Sequence, residues 1–185
     1  MDPSVLVLVG NAPGGRDEEL RHNPRFVRFL AAELLPWLRR RYGIRVPPSR
    51  CAVVGSSLGG LTAAYAALRY PHLFGNVLAQ SGAFIERDAG GVDGSPTLMQ
   101  EYARRRRGRT RFYLNAGTLE STVYPGTPTS LLAGVRHFRD VLTAKGYRVA
   151  YGEFSGGHDY ACWGVGLGEG LLNLLPRRAP RRTAA

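Results

Sequence analysis

The feature that most restricts this chain is Gly55-Ser56-Ser57-Leu58-Gly59. It lies between an apolar run (Cys51, Ala52, Val53, Val54) and an alanine-rich segment, Leu61 to Arg69, that ends at Tyr70-Pro71. An apolar run stopped by glycine predicts a short buried strand, and the proline predicts the end of a helix. G-x-S-x-G between strand and helix is a nucleophile elbow: the turn strains its central serine and lifts the hydroxyl above the sheet. The frame of the pattern makes that serine Ser57 rather than Ser56. Side chains at Gly55 or Gly59 are expected to collide where strand and helix approach, and Gly60 to ease the same packing. In a chain with 24 glycines the bare pattern says little, so its weight comes from the flanking strand and helix.

The remaining elements alternate in the same way. Val5 to Val9, continuous and apolar, predicts a fully buried strand. Asn23-Pro24 predicts a capped helix start, with a helix from Arg25 to Tyr42 that Pro36 kinks or breaks and Gly43 stops. Strands follow at Asn76–Gln80, Arg111–Ala116 and Arg148–Phe154. Helices follow at Pro128–Lys145 and Tyr160–Leu175, with a short one around Thr97–Arg105 in the otherwise unreadable stretch from Phe84 to Gly108. Strands alternating with helices specify an α/β fold, a mostly parallel sheet covered by helices on both faces, with chemistry gathered at the carboxyl ends of the strands. Residues 1–176 read as one catalytic domain and residues 177–185 as a disordered basic tail.

Composition narrows the partners. No stretch is long and apolar enough to span a membrane, and the start lacks the positive flank of a signal peptide. Two cysteines, Cys51 and Cys162, give neither a disulfide framework nor metal-ligand spacing. A cytoplasmic protein with no metal and no cofactor is the default expectation. Lys and Arg outnumber Asp and Glu 25 to 14, a net charge of +11 that favours encounter with anions. The arginine runs (Arg104 to Arg107, then Arg177, Arg178, Arg181, Arg182) lack interleaved aromatics or a helix-turn-helix pattern, so nucleic acid is not the expected partner. A solvated arginine-rich surface is the plain account, and an anionic small-molecule substrate the sharper one.

A serine hydroxyl needs a neighbouring base, itself oriented by a carboxylate. Elbow enzymes place these in the order serine, acid, histidine. His22 precedes the elbow, His72 sits at the foot of the elbow helix, and His137 is mid-helix between arginines. His158, in Gly156-Gly157-His158-Asp159 after the last strand, is the candidate base. Glu120, just past the strand Arg111–Ala116, is the candidate acid, ahead of Asp159, Asp93 and Asp88. The backbone N–H of Leu58 is the first candidate donor to an oxyanion.

With these residues in place the chain resembles the catalytic domain of the enterochelin (ferric enterobactin) esterases, among the esterase D-like esterases of the α/β-hydrolase superfamily. The resemblance rests on Gly55 to Gly60, on Asn76-Val77-Leu78-Ala79-Gln80-Ser81-Gly82, and on Gly156-Gly157-His158-Asp159-Tyr160 with Trp163. Glu33 to Trp37, and Arg16 with Glu19-Leu20, match as well. It implies hydrolysis of ester bonds in a ferric catecholate siderophore, with Arg16 and Trp163 as substrate contacts. It also implies strands ahead of Val5 that this chain lacks, and with them the usual source of the second oxyanion donor. A general carboxylesterase or acyltransferase, and an inactive truncated fold, are the alternative readings.

Overall fold

The computed structural model describes residues 4–85, 96–123 and 129–175. Its centre is a four-stranded parallel sheet in the order β1-β2-β3-β4: β1 Ala52–Ser56, β2 Asn76–Gln80, β3 Arg111–Gly117 and β4 Arg148–Phe154. Registers are continuous, with Ser56 opposite Gln80 and Gln80 opposite Asn115. Every step moves in one direction across the sheet. Right-handed crossovers therefore put all the connecting helices on one face. These are α4 (Leu58–Arg69), α5 (Leu98–Arg104) and α6 (Leu131–Ala144). They close a core with Val77, Ala79, Phe112 and Leu114 from the strands. Leu78 and Tyr113 point the other way, against α7 (Tyr160–Leu174).

The helical start follows its sequence closely. After the short α1 (Arg16–Leu20), Asn23 caps α2 (Pro24–Phe29) by accepting from the Arg25 and Phe26 N–H groups. Pro36 acts as expected, but through a widened turn. Leu30–Leu34 form a π-helical turn, in which Leu35 N–H donates to the Leu30 carbonyl, before α3 (Leu35–Tyr42) begins with Pro36 in its first turn. Proline has no N–H to give, and the wider turn absorbs the misfit ahead of it. Gly43 closes α3 in the left-handed conformation, φ +65°.

Two expectations are corrected. Val5 to Val9 is not a buried strand: Val5, Leu6 and Leu8 are 67, 74 and 85% exposed, and the run pairs with no strand among the described residues. Apolar residues make a strand only where a ladder partner and a covering layer exist, and the free edge of β1 receives neither from this run. The sheet thus has four strands in the described residues, not five. The second correction concerns Gly59, where a side chain would meet open space. The tight approach is one-sided, since a Cβ at Gly55 would strike the Gly59 backbone. Residues 177–185, and with them the expected disordered tail, lie outside the described residues, as do Asp88 and Asp93.

Candidate active site

The carboxyl ends of β1, β3 and β4 carry the three residues singled out above. Ser57 follows β1 directly and takes φ +57°, ψ −125°, a conformation that a non-glycine residue adopts only when its surroundings enforce it. Here the enforcement is a pair of backbone bonds to the segment at the end of β2. Ser57 N–H donates to the Gln80 carbonyl at 2.9 Å, and the Ser57 carbonyl accepts from Ala83 N–H at 3.0 Å. The Ser57 side chain caps no N–H of α4. Leu58 opens that helix, so its N–H has no intrahelical acceptor.

Beyond β3 the chain turns at once. Glu120 N–H donates to the Gly117 carbonyl, and Gly117 N–H donates back to Glu120 Oε2 at 3.0 Å. This closed loop aims the other carboxylate oxygen, Oε1, at His158 Nδ1, 2.7 Å away. The Glu120 side chain is 1% exposed and that of His158 32% exposed. A buried carboxylate on one ring nitrogen thus leaves the other nitrogen towards the open side. The two loops are stitched together: Thr118 N–H donates to the Phe154 carbonyl, and Leu119 N–H to the Gly156 carbonyl.

Asp159, the rival acid, points elsewhere. Its carboxylate accepts from Cys162 N–H at 2.9 Å and from the Cys162 thiol at 3.2 Å, capping α7. The backbone bond from Cys162 is the main reason its pKa is held below the ordinary aspartate value. The thiol is correspondingly pushed up by the carboxylate it faces. His22, which the chain order set aside, packs against Tyr65 with the rings tilted and their centroids 4.6 Å apart, and burial lowers its pKa. His137 is exposed on α6.

Geometry brings together Glu120, His158 and Trp163, whose ring stands perpendicular to that of His158, centroids 4.8 Å apart and planes at 88°. Trp163 stands behind the imidazole, 8% exposed, with its Nε1–H given to Ser81 Oγ at 3.0 Å. Arg16 joins none of these residues among those described. It is half exposed at the start of α1 and lies 3.4 Å from Asp17. The Ser57 hydroxyl makes no hydrogen bond to His158 among the described residues. In unliganded sites such bonds are often long and tighten only with substrate. Sequence reasoning missed the bond from Trp163 to Ser81, which is buried at φ +46° and follows Gln80, whose carbonyl holds Ser57 N–H. The signal was the Ser81-Gly82 pair at a strand's end.

A parallel sheet with a strained serine turn after one strand and a carboxylate–histidine pair after two others defines the α/β-hydrolase class. Comparison with known proteins agrees and is more specific. Residues 9–174 match the family described as "Putative esterase", and the chain belongs to that esterase family. It is 32% identical over 184 residues to the iron(III) enterobactin esterase of Escherichia coli O6:H1, covering 94% of this chain and 42% of that protein. Against the iron(III) salmochelin esterase of the same strain it is 29% identical, covering 84% and 38%. Among solved structures, the Shigella flexneri enterobactin esterase determined in the presence of enterobactin superposes with a TM-score of 0.72 at 28% identity, covering 88% of this chain and 40% of that one. The chain therefore spans about two fifths of the length of these relatives. No helix among the described residues is long and apolar enough to cross a membrane.

Proposed function

We propose that this chain carries the catalytic machinery of a serine esterase acting on a ferric catecholate siderophore or a closely related anionic polyester. The observation that carries this reading is the 2.7 Å contact between buried Glu120 and His158, on loops at the same end of the sheet as the strained Ser57 turn. In the reaction, His158 Nε2 takes the Ser57 proton as Oγ attacks the ester carbonyl. The tetrahedral oxyanion accepts from the Leu58 N–H, and its collapse expels the alcohol, protonated by His158. Water then repeats the sequence on the acyl-enzyme. Glu120 keeps its charge throughout, holding the Nδ1–H tautomer and stabilising the imidazolium.

The substrate class rests on kinship and charge. The relatives are named for iron(III) enterobactin and iron(III) salmochelin, and a chain of net charge +11 attracts an anionic complex. Arg16 is proposed at the rim that receives it. The setting is proposed to be the cytoplasm, where the thiols of Cys51 and Cys162 stay reduced. Turnover of ferric enterobactin, measured beside p-nitrophenyl acetate, tests the reading. Cleavage of both, lost in Ser57→Ala, is expected. Cleavage of the simple ester alone would reduce the proposal to a general carboxylesterase, and cleavage of neither by folded protein would remove it.

A further inference from the structure

We infer that Gln80, Ser81 and Trp163 form a latch that sets the His158 ring against the Ser57 turn; the inference rests on the serine-esterase reading above. The Glu120 contact by itself does not fix the imidazole. A single hydrogen bond to Nδ1 leaves the ring free to swing about the bond. The plane of the ring is set by its perpendicular contact with Trp163, ring centroids 4.8 Å apart.

Trp163 is fastened at two points to the end of β2. Its carbonyl accepts from Gln80 Nε2 at 2.7 Å, and its Nε1–H donates to Ser81 Oγ at 3.0 Å. All three residues are buried, Ser81 completely. The first of these two residues also reaches the nucleophile turn, because Ser56 is in register with Gln80. The Gln80 carbonyl holds Ser57 N–H, while Ser81 N–H is tied to Asn115 of β3, the strand that leads to Glu120. Nucleophile turn, acid strand and α7, which carries Trp163, are therefore joined at one dipeptide. α7 approaches closely enough for this because residue 166 is glycine: a Cβ there would lie 2.5 Å from Asn115 Nδ2 and 3.1 Å from Gln80 Nε2. Ser81 also accepts a left-handed φ of +46°, a cost that a residue serving only as buried filler has no reason to carry.

Ser81→Ala removes the acceptor, and Trp163→Phe removes the donor while keeping an aromatic ring beside His158, so a KM that holds while kcat falls separates positioning of His158 from a direct substrate contact by Trp163. The test is steady-state hydrolysis of p-nitrophenyl acetate by wild type, both single variants, the double variant and Ser57→Ala, with unfolding midpoints measured alongside. Each single variant is expected to lose about tenfold in kcat with KM within about twofold, the scale of one broken buried hydrogen bond expressed in the transition state. The double variant should be no slower than the slower single one, since both substitutions cut the same bond. Wild-type kcat in folded variants whose only change is a lower unfolding midpoint would overturn the latch, as would fully additive losses. Should Ser81→Ala fail to fold, Trp163→Phe is judged alone on the kcat loss at constant KM. If Ser57→Ala keeps wild-type turnover, the esterase reading falls and takes the latch with it. If Ser57→Ala is dead and the latch variants are unimpaired, only the latch falls.

Discussion

Replacing Glu120 by glutamine isolates the electrostatic part of the site. The carboxylate has two occupied oxygens, Oε2 accepting from Gly117 N–H at 3.0 Å and Oε1 facing His158 Nδ1 at 2.7 Å. An amide has one acceptor and one donor group. If its oxygen stays on Gly117, its NH₂ faces Nδ1, and the ring must carry its proton on Nε2, the nitrogen needed to receive the Ser57 proton. The imidazolium formed in the transition state also loses its counter-charge in a position only 1% exposed. Loss of this kind costs about 10³–10⁴ in kcat, or about 4–5.5 kcal/mol. Stability should change far less, by about 1 kcal/mol, because the shape and the Gly117 bond survive. The assay pairs kcat for p-nitrophenyl acetate with imidazole ¹⁵N shifts of His158, which report the tautomer directly. A variant that kept kcat within tenfold, or kept the Nδ1–H form, would refute the reasoning.

Other substitutions probe separate parts of the account. Ser57→Gly should abolish turnover yet stabilise the fold by about 1 kcal/mol, read as a higher unfolding midpoint, because glycine relieves the φ of +57°. Gly55→Ala should destabilise by about 1–3 kcal/mol in denaturant titration, since its Cβ meets the Gly59 backbone, whereas Gly59→Ala should be milder because its site is open. The Arg136–Glu153 pair, with Glu153 drawn down to about 2 chiefly by its hydrogen bond to Arg136, gives a pH signature. A carboxylate whose folded pKa is depressed contributes stability above its unfolded pKa and loses it as pH falls through the folded one. The stability deficit of Arg136→Met should therefore be present at pH 6 and vanish between about pH 4.5 and about 2. Arg16→Ala should raise KM several-fold for ferric enterobactin and leave that for p-nitrophenyl acetate unchanged, as expected of a rim charge.

Much of this arrangement could be read from local chemistry. The elbow was legible because a strand, a glycine-framed serine and a helix are consecutive, and each leaves its own mark. Glu120 and His158 were legible because both follow strands directly, so the carboxyl-end rule brings them to one end of the sheet without any tertiary detail. Val5 to Val9 was not legible. Its apolar run satisfies a strand pattern, but pairing depends on partners far away in sequence, and here the run lies exposed. Nor could the left-handed φ of Ser81 be seen, because it follows from bonds to Asn115, 34 positions on, and to Trp163, 82 positions on. The widened turn before Pro36 was half legible: proline announced a fault in the helix, but how the backbone absorbs it depends on packing.

The central claim is that the Ser57 hydroxyl is a nucleophile activated by His158, and covalent labelling tests it most directly. Folded protein treated with a fluorophosphonate and mapped by peptide mass spectrometry is predicted to carry the adduct on the peptide containing Ser57. The adduct should be absent in Ser57→Ala and form far more slowly in His158→Ala. An unlabelled folded wild type, or an adduct on another residue, would contradict the account.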